Sequence, residues 1–226
     1  MSDEEIEISV HDVITKLEQL LQGAISREEV QAWTTTVKRS YNPGGSHIHH
    51  LSHFDAEAFH ALSDALLCER DLQATGAPYF YRMEDFVEHL AILRREDATF
   101  VTAAGLRQLR YHQLRPVFPR PIALFTVSAE EVAFRNQLPY TRGLDGLDYT
   151  KTLLVQTPEN KQYMLIEHLR APMRPFVDLY IEASAENDTV EIEHVMQSLH
   201  IEPHQLYWRT EYFYELKQQF EKWKVS

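Results

Sequence analysis

The stretch Ser46-His47-Ile48-His49-His50-Leu51-Ser52-His53-Phe54 places four imidazoles within seven positions. Imidazole ligates metals, and it changes charge near pH ~6.5. His49 and His53 fall one helical turn apart if a helix starts early in this segment. His47 and His49 point the same way if the chain is extended. Asp55 or His60 would complete such a set. No cofactor is expected; the alternative is a divalent metal such as zinc, for which His47, His49, His50 and His53 are the candidate ligands. Stronger zinc patterns are missing. The chain has no His-Glu-x-x-His, and its single cysteine, Cys68, rules out a cysteine cluster. Gly44-Gly45 just upstream suits a polar loop leading into a helix, and a pH-sensitive contact is the third reading.

Other catalytic patterns are absent. Gly143-Leu144-Asp145-Gly146 is a glycine pair in a loop. It is neither a phosphate loop ending in Gly-Lys-Ser/Thr nor a dinucleotide fingerprint. There is no Gly-x-Ser-x-Gly elbow. Cys68 lies on an apolar helical stripe, where it reads as a packed small hydrophobe. Glu167-His168 closes a strand, where the pair is expected to face solvent, with acid–base work as the alternative. No catalytic residue is assigned, and the reading leans away from an enzyme.

Charge is the more informative feature. The net charge of −12 argues against a nucleic-acid partner, which needs clustered Lys and Arg. Its distribution is uneven. Arg94, Arg95, Arg107, Arg110, Arg115 and Arg120 face only Glu96 and Asp97 between them. From Pro175 to Trp208 there are acids and no Lys or Arg: Asp178, Glu182, Glu186, Asp188, Glu191, Glu193 and Glu202. Both stretches fit solvated faces. The sharper expectation is a surface for a basic protein partner, carried by Asp178, Glu182, Glu186, Asp188, Glu191 and Glu193 with Tyr207 and Trp208 as aromatic anchors. The acidic start, Met1 to Val10, lacks the basic and apolar regions of a signal peptide, and no apolar run approaches the ~20 residues of a membrane span. A cytoplasmic protein with no membrane contact is expected.

The elements that must position these residues follow from periodicity. Val10, Val13, Ile14, Leu17, Leu20 and Leu21 mark one face of a helix capped by Ser9 and stopped at Gly23. Ser26-Arg27-Glu28-Glu29 has the capping-box form and opens a second helix with Val30, Trp33 and Val37 inward. Asn42-Pro43-Gly44-Gly45 breaks it. A third helix, capped by Ser52 or Asp55, carries Phe59, Leu62 and Leu66. A fourth covers Met83 to Leu93, and a weaker fifth spans roughly Thr102 to Leu114 despite Gly105. Three prolines in Arg115–Pro121 cannot sit inside a helix. Strand patterns follow: Ile122 to Val127, two runs flanking Pro158-Glu159-Asn160 as a hairpin, Phe176 to Ala183, and His204 to Phe213. Capped helices at Ser128 and Asp188 punctuate them, and Phe213, Leu216, Phe220 and Trp223 recur at helical spacing. The expectation is an α+β protein: an N-terminal helical bundle (1–114), a Pro-rich linker (115–121), and a mainly antiparallel sheet with flanking helices (122–226).

The first half also carries Leu20-Leu21-Gln22-Gly23-Ala24-Ile25-Ser26-Arg27-Glu28-Glu29-Val30-Gln31-Ala32-Trp33, then Leu66-Leu67-Cys68-Glu69-Arg70-Asp71-Leu72, then Tyr79-Phe80-Tyr81-Arg82-Met83-Glu84-Asp85-Phe86 before an apolar helix. This succession resembles small helical bacterial proteins of the immunity-protein type. The resemblance spans Asp12 to Leu93 and rests on caps and core positions. It implies a bacterial, non-enzymatic inhibitor of a basic toxin, and assigns no binding residue.

Overall fold

In the computed structural model, residues 8–40, 53–68, 79–98, 100–113, 120–145, 148–169, 177–181 and 188–209 are described. The fold is α+β. Among the described residues, the helices are α1 (Val10–Leu21), α2 (Arg27–Ser40), α3 (His53–Ser63), α4 (Met83–Leu93), α5 (Ala129–Arg135) and α6 (Asp188–Ser198). The strands among the described residues are β1 (Arg107–Gln108), β2 (Arg120–Phe125), β3 (Thr141–Asp145), β4 (Asp148–Gln156), β5 (Gln162–His168), β6 (Val177–Ile181) and β7 (Leu206–Arg209). No helix among the described residues is long and apolar enough to cross a membrane.

The chain divides into two compact units. The first joins Met1–Asp97 with Thr141–Tyr149; the second joins Ala98–Tyr140 with Thr150–Ser226. The first unit thus ends at Asp97 and regains a segment far along the chain. The prolines at 116 and 119 of the expected linker lie outside the described residues, and Arg120 and Pro121 already belong to β2.

The first unit forms where local chemistry is strong. Ser9 N donates to Asp12 Oδ2 at 2.8 Å while Asp12 N donates to Ser9 Oγ at 3.3 Å, closing a capping box on α1. Ser26 and Glu29 do the same for α2, at 2.7 and 3.2 Å. Gly23 takes φ +70°, the left-handed turn that ends α1. Val13, Leu17, Leu20, Val30, Phe59, Leu62 and Phe86 are buried between the helices. β3 packs against α3 and α4, which brings Arg142 into this unit.

The second unit is a sheet in the order β1-β4-β5-β6-β2-β7. Every pairing along that path is antiparallel. β4 and β5 form the expected hairpin, from Gln156 opposite Gln162 to Thr150 opposite His168. Asn160 sits at φ 63° in its turn, where asparagine is tolerated. One face buries Leu153, Val155, Tyr163 and Leu165 with Val132 of α5 and Ile192, Val195 and Leu199 around α6. The other buries Leu154, Met164 and Ile166 with Leu109. No α-helix forms over Thr102–Gln113, which corrects the expected fifth helix. Gly105 takes φ +79° and Thr102 closes a turn, its hydroxyl accepting from Leu106 N at 3.1 Å. A glycine in that conformation cannot continue a right-handed helix. The chain then adds β1 to the sheet and ends in a 3-10 turn, Tyr111–Gln113.

Candidate functional site

The expected partner surface is only partly within the described residues. Glu182 and Glu186 lie outside them. Asp178 stands in β6 opposite Leu124 and Ile166, Asp188 opens α6, and Trp208 stands in β7 opposite Leu124; the side chains of these three also lie outside. Glu193 and Glu202 are exposed, and Tyr207 is 61% exposed. His47, His49 and His50 lie outside as well, and His53 is the first residue of α3 with its side chain outside. Among the described residues no group of three or more His, Cys, Asp or Glu could hold a metal.

Glu191 is spent within the chain. It takes a hydrogen bond from Lys161 Nζ at 2.5 Å and another from Tyr163 Oη at 2.7 Å. Burial alone would raise its pKa, but these bonds outweigh that and hold the carboxyl below its ordinary value. Tyr163 Oη also lies 2.9 Å from His194 Nδ1. A phenol has one proton, and an ionised carboxylate can only accept. The proton therefore goes to Glu191, so His194 must donate through Nδ1. Nε2 of the same ring lies 3.5 Å from Glu159 Oε2. The result is a polar clasp between α6 and the β4–β5 hairpin. Burial first, then Glu191, pushes the Tyr163 phenol upward, so it serves as a hydrogen-bonding strut and not as a nucleophile.

Glu167 corrects a second expectation. It is 4% exposed and does not face solvent. Its position opposite Lys151, in strands covered on both faces, buries both side chains. Glu167 Oε2 accepts from Ala129 N at 3.1 Å, and Lys151 Nζ donates to Glu130 Oε2 at 2.6 Å. Burial raises the Glu167 carboxyl, with the Lys151 charge opposing. These bonds fasten the start of α5 to the sheet.

The helical unit contains a more deeply buried group. Arg142 Nη1 donates to Asp85 Oδ2 at 3.1 Å and to Oδ1 at 3.3 Å, with side-chain exposures of only 4% and 3%. Asp85 Oδ2 also accepts from Arg82 N at 2.7 Å, closing the first turn of α4. Burial raises the Asp85 carboxyl, and Arg142 pulls it back down. One turn along, His89 is pushed down to about 4 by burial, with a bond to the Arg142 backbone acting the other way. The sequence carries no local sign of this cluster, because Asp85 and Arg142 are 57 positions apart.

Phe134, in the last turn of α5, is 83% exposed. The buried positions of that helix are Ala129, Val132 and Ala133, so residue 134 falls off the apolar stripe. Arg135 ties its segment to the loop after α6, donating to His200 O at 3.3 Å and to Gln205 Oε1 at 3.2 Å. The strand carrying Tyr207 begins immediately after Gln205.

Comparison with known proteins finds no match: no family model, no curated protein and no solved structure is similar to this chain.

Proposed function

We propose that the protein is a non-enzymatic, acidic protein-binding module, an immunity-like inhibitor of a basic protein. The observation that carries this reading is the exposed aromatic pair of the second unit. Phe134 and Tyr207 are 83% and 61% exposed on segments that Arg135 joins, and Glu193 and Glu202 are exposed in the same unit. A large exposed aromatic is a suitable anchor, and exposed carboxylates steer a cationic partner toward it. The net charge of −12 adds to that field. Because Glu191 is engaged by Lys161 and Tyr163, the contribution expected of it shifts to Glu193, Glu202 and the aromatics.

A pull-down of the full chain against the products of neighbouring genes tests the proposal. The expected result is a partner rich in Lys and Arg whose affinity falls as salt rises. Phe134→Ala should weaken it about tenfold or more, as truncating an anchor does. No retained protein, or binding indifferent both to salt and to Phe134→Ala, defeats the reading.

A further inference from the structure

Among the described residues, Tyr81 Oη and His89 Nε2 are deeply buried polar atoms of the helical unit with no hydrogen-bond partner in the chain. Tyr81 is 0% and His89 2% exposed. Their rings lie with centroids 6.1 Å apart, tilted by 58°. Buried polar groups in folded proteins are nearly always satisfied, by protein or by an internal water.

The chemistry of the two atoms calls for one kind of guest. The Arg142 backbone takes the hydrogen bond of the His89 ring, and with Nε2 unpartnered that bond belongs to Nδ1. A neutral imidazole has a single N–H, so Nε2 offers only a lone pair. The Tyr81 phenol keeps its proton, since burial and the carboxylates Asp64, Glu57 and Asp85 all disfavour its anion. It can therefore donate or accept. The guest must donate to Nε2 and make a second bond of either kind to the phenol. Phe80 and Phe86 pack on Tyr81 with centroids 4.8 and 6.1 Å away, so its ring is held among apolar neighbours. A cation has little to gain here: Asp85 is already paired with Arg142, and Asp64 accepts from Tyr149 Oη at 2.7 Å.

We infer that Tyr81 Oη and His89 Nε2 form a binding site for a single internal water molecule that bridges them inside the helical unit. The water donates one proton to Nε2, and its oxygen meets the phenol. It joins the residues before α4 to the middle of that helix, beside the Asp85–Arg142 pair.

Oxygen-17 relaxation dispersion counts slowly exchanging waters in the full-length protein. The expected result is one such water more in the natural protein than in the Tyr81→Phe/His89→Phe double variant. Equal counts in two folded proteins overturn the inference. Should the double variant fail to fold, the nitrogen-15 shift of His89 Nε2 in the natural protein decides. A hydrogen-bonded value supports the water, because the chain supplies Nε2 with no partner; a bare, pyridine-like value overturns it.

Discussion

Two polar clusters in this molecule use similar residues under opposite conditions. In the helical unit, Asp85 and Arg142 are sealed from solvent, with His89 beside them. In the sheet unit, Glu191, Lys161 and His194 form a clasp that water reaches, their side chains being 16%, 36% and 25% exposed. Both satisfy a carboxylate with a cation and further hydrogen bonds. The difference lies in what happens when a partner is removed. A sealed charge has no water to turn to, whereas a half-exposed one is rehydrated. The first cluster should therefore behave as an all-or-none structural element and the second as a modest fastening.

The largest effect is expected from Arg142→Leu, which leaves the Asp85 carboxylate buried and unpaired. A loss of about 3–5 kcal/mol is expected, measured as a lower denaturant midpoint at unchanged slope. Adding Asp85→Asn to Arg142→Leu should recover part of that loss. If Arg142→Leu costs no more than a surface substitution, the two clusters do not differ as described.

Acid comes next. Folded His89 takes its proton only near pH 4, whereas an unfolded imidazole takes one near 6.5. Between those values the unfolded chain binds a proton that the folded chain refuses. Stability contributed by neutral His89 is thus full above pH ~6.5, falls as pH drops, and levels off below about 4, a decline of about 3 kcal/mol. His89→Leu should flatten this limb of the stability–pH curve. A curve unchanged by His89→Leu would place the titration elsewhere.

Glu191→Gln should cost about 1–2 kcal/mol, because its neutral amide keeps weaker bonds to Lys161 and Tyr163. The loss should appear in the sheet unit, as faster amide exchange in α6. A loss as large as that of Arg142→Leu would mean the clasp is as sealed as the ion pair. The smallest effect is expected at Glu18, whose exposed pairing with Arg94 links α1 to the end of α4. Glu18→Ala should cost less than about 1 kcal/mol, and nothing measurable in high salt.

Much of the fold was legible because its signals are local. The Ser9, Ser26 and Ser128 caps, the stop at Gly23 and the turn around Asn160 each follow from a few neighbouring residues. The fifth helix misled for the same reason. Its apolar spacing was compatible with a helix, but Gly105 in a left-handed turn and the free edge of β4 decided otherwise. The candidate site was legible only in part. The exposure of Phe134 was readable from the α5 stripe, whose buried positions it falls outside. The fate of Glu191 was not, since in sequence an acid that meets a lysine 30 positions away looks like any other acid.

By itself, then, the chain's composition and periodicity determined the acidic character, the helix-then-sheet order and the antiparallel pairing, since these depend on the backbone and on alternation over short spans. The tertiary structure alone decided which charges are consumed. It enclosed Asp85 with Arg142, buried Glu167 beside Lys151 and clasped Glu191 to Lys161. Whether a charge is solvated or paired depends on side chains that only folding brings within hydrogen-bond distance.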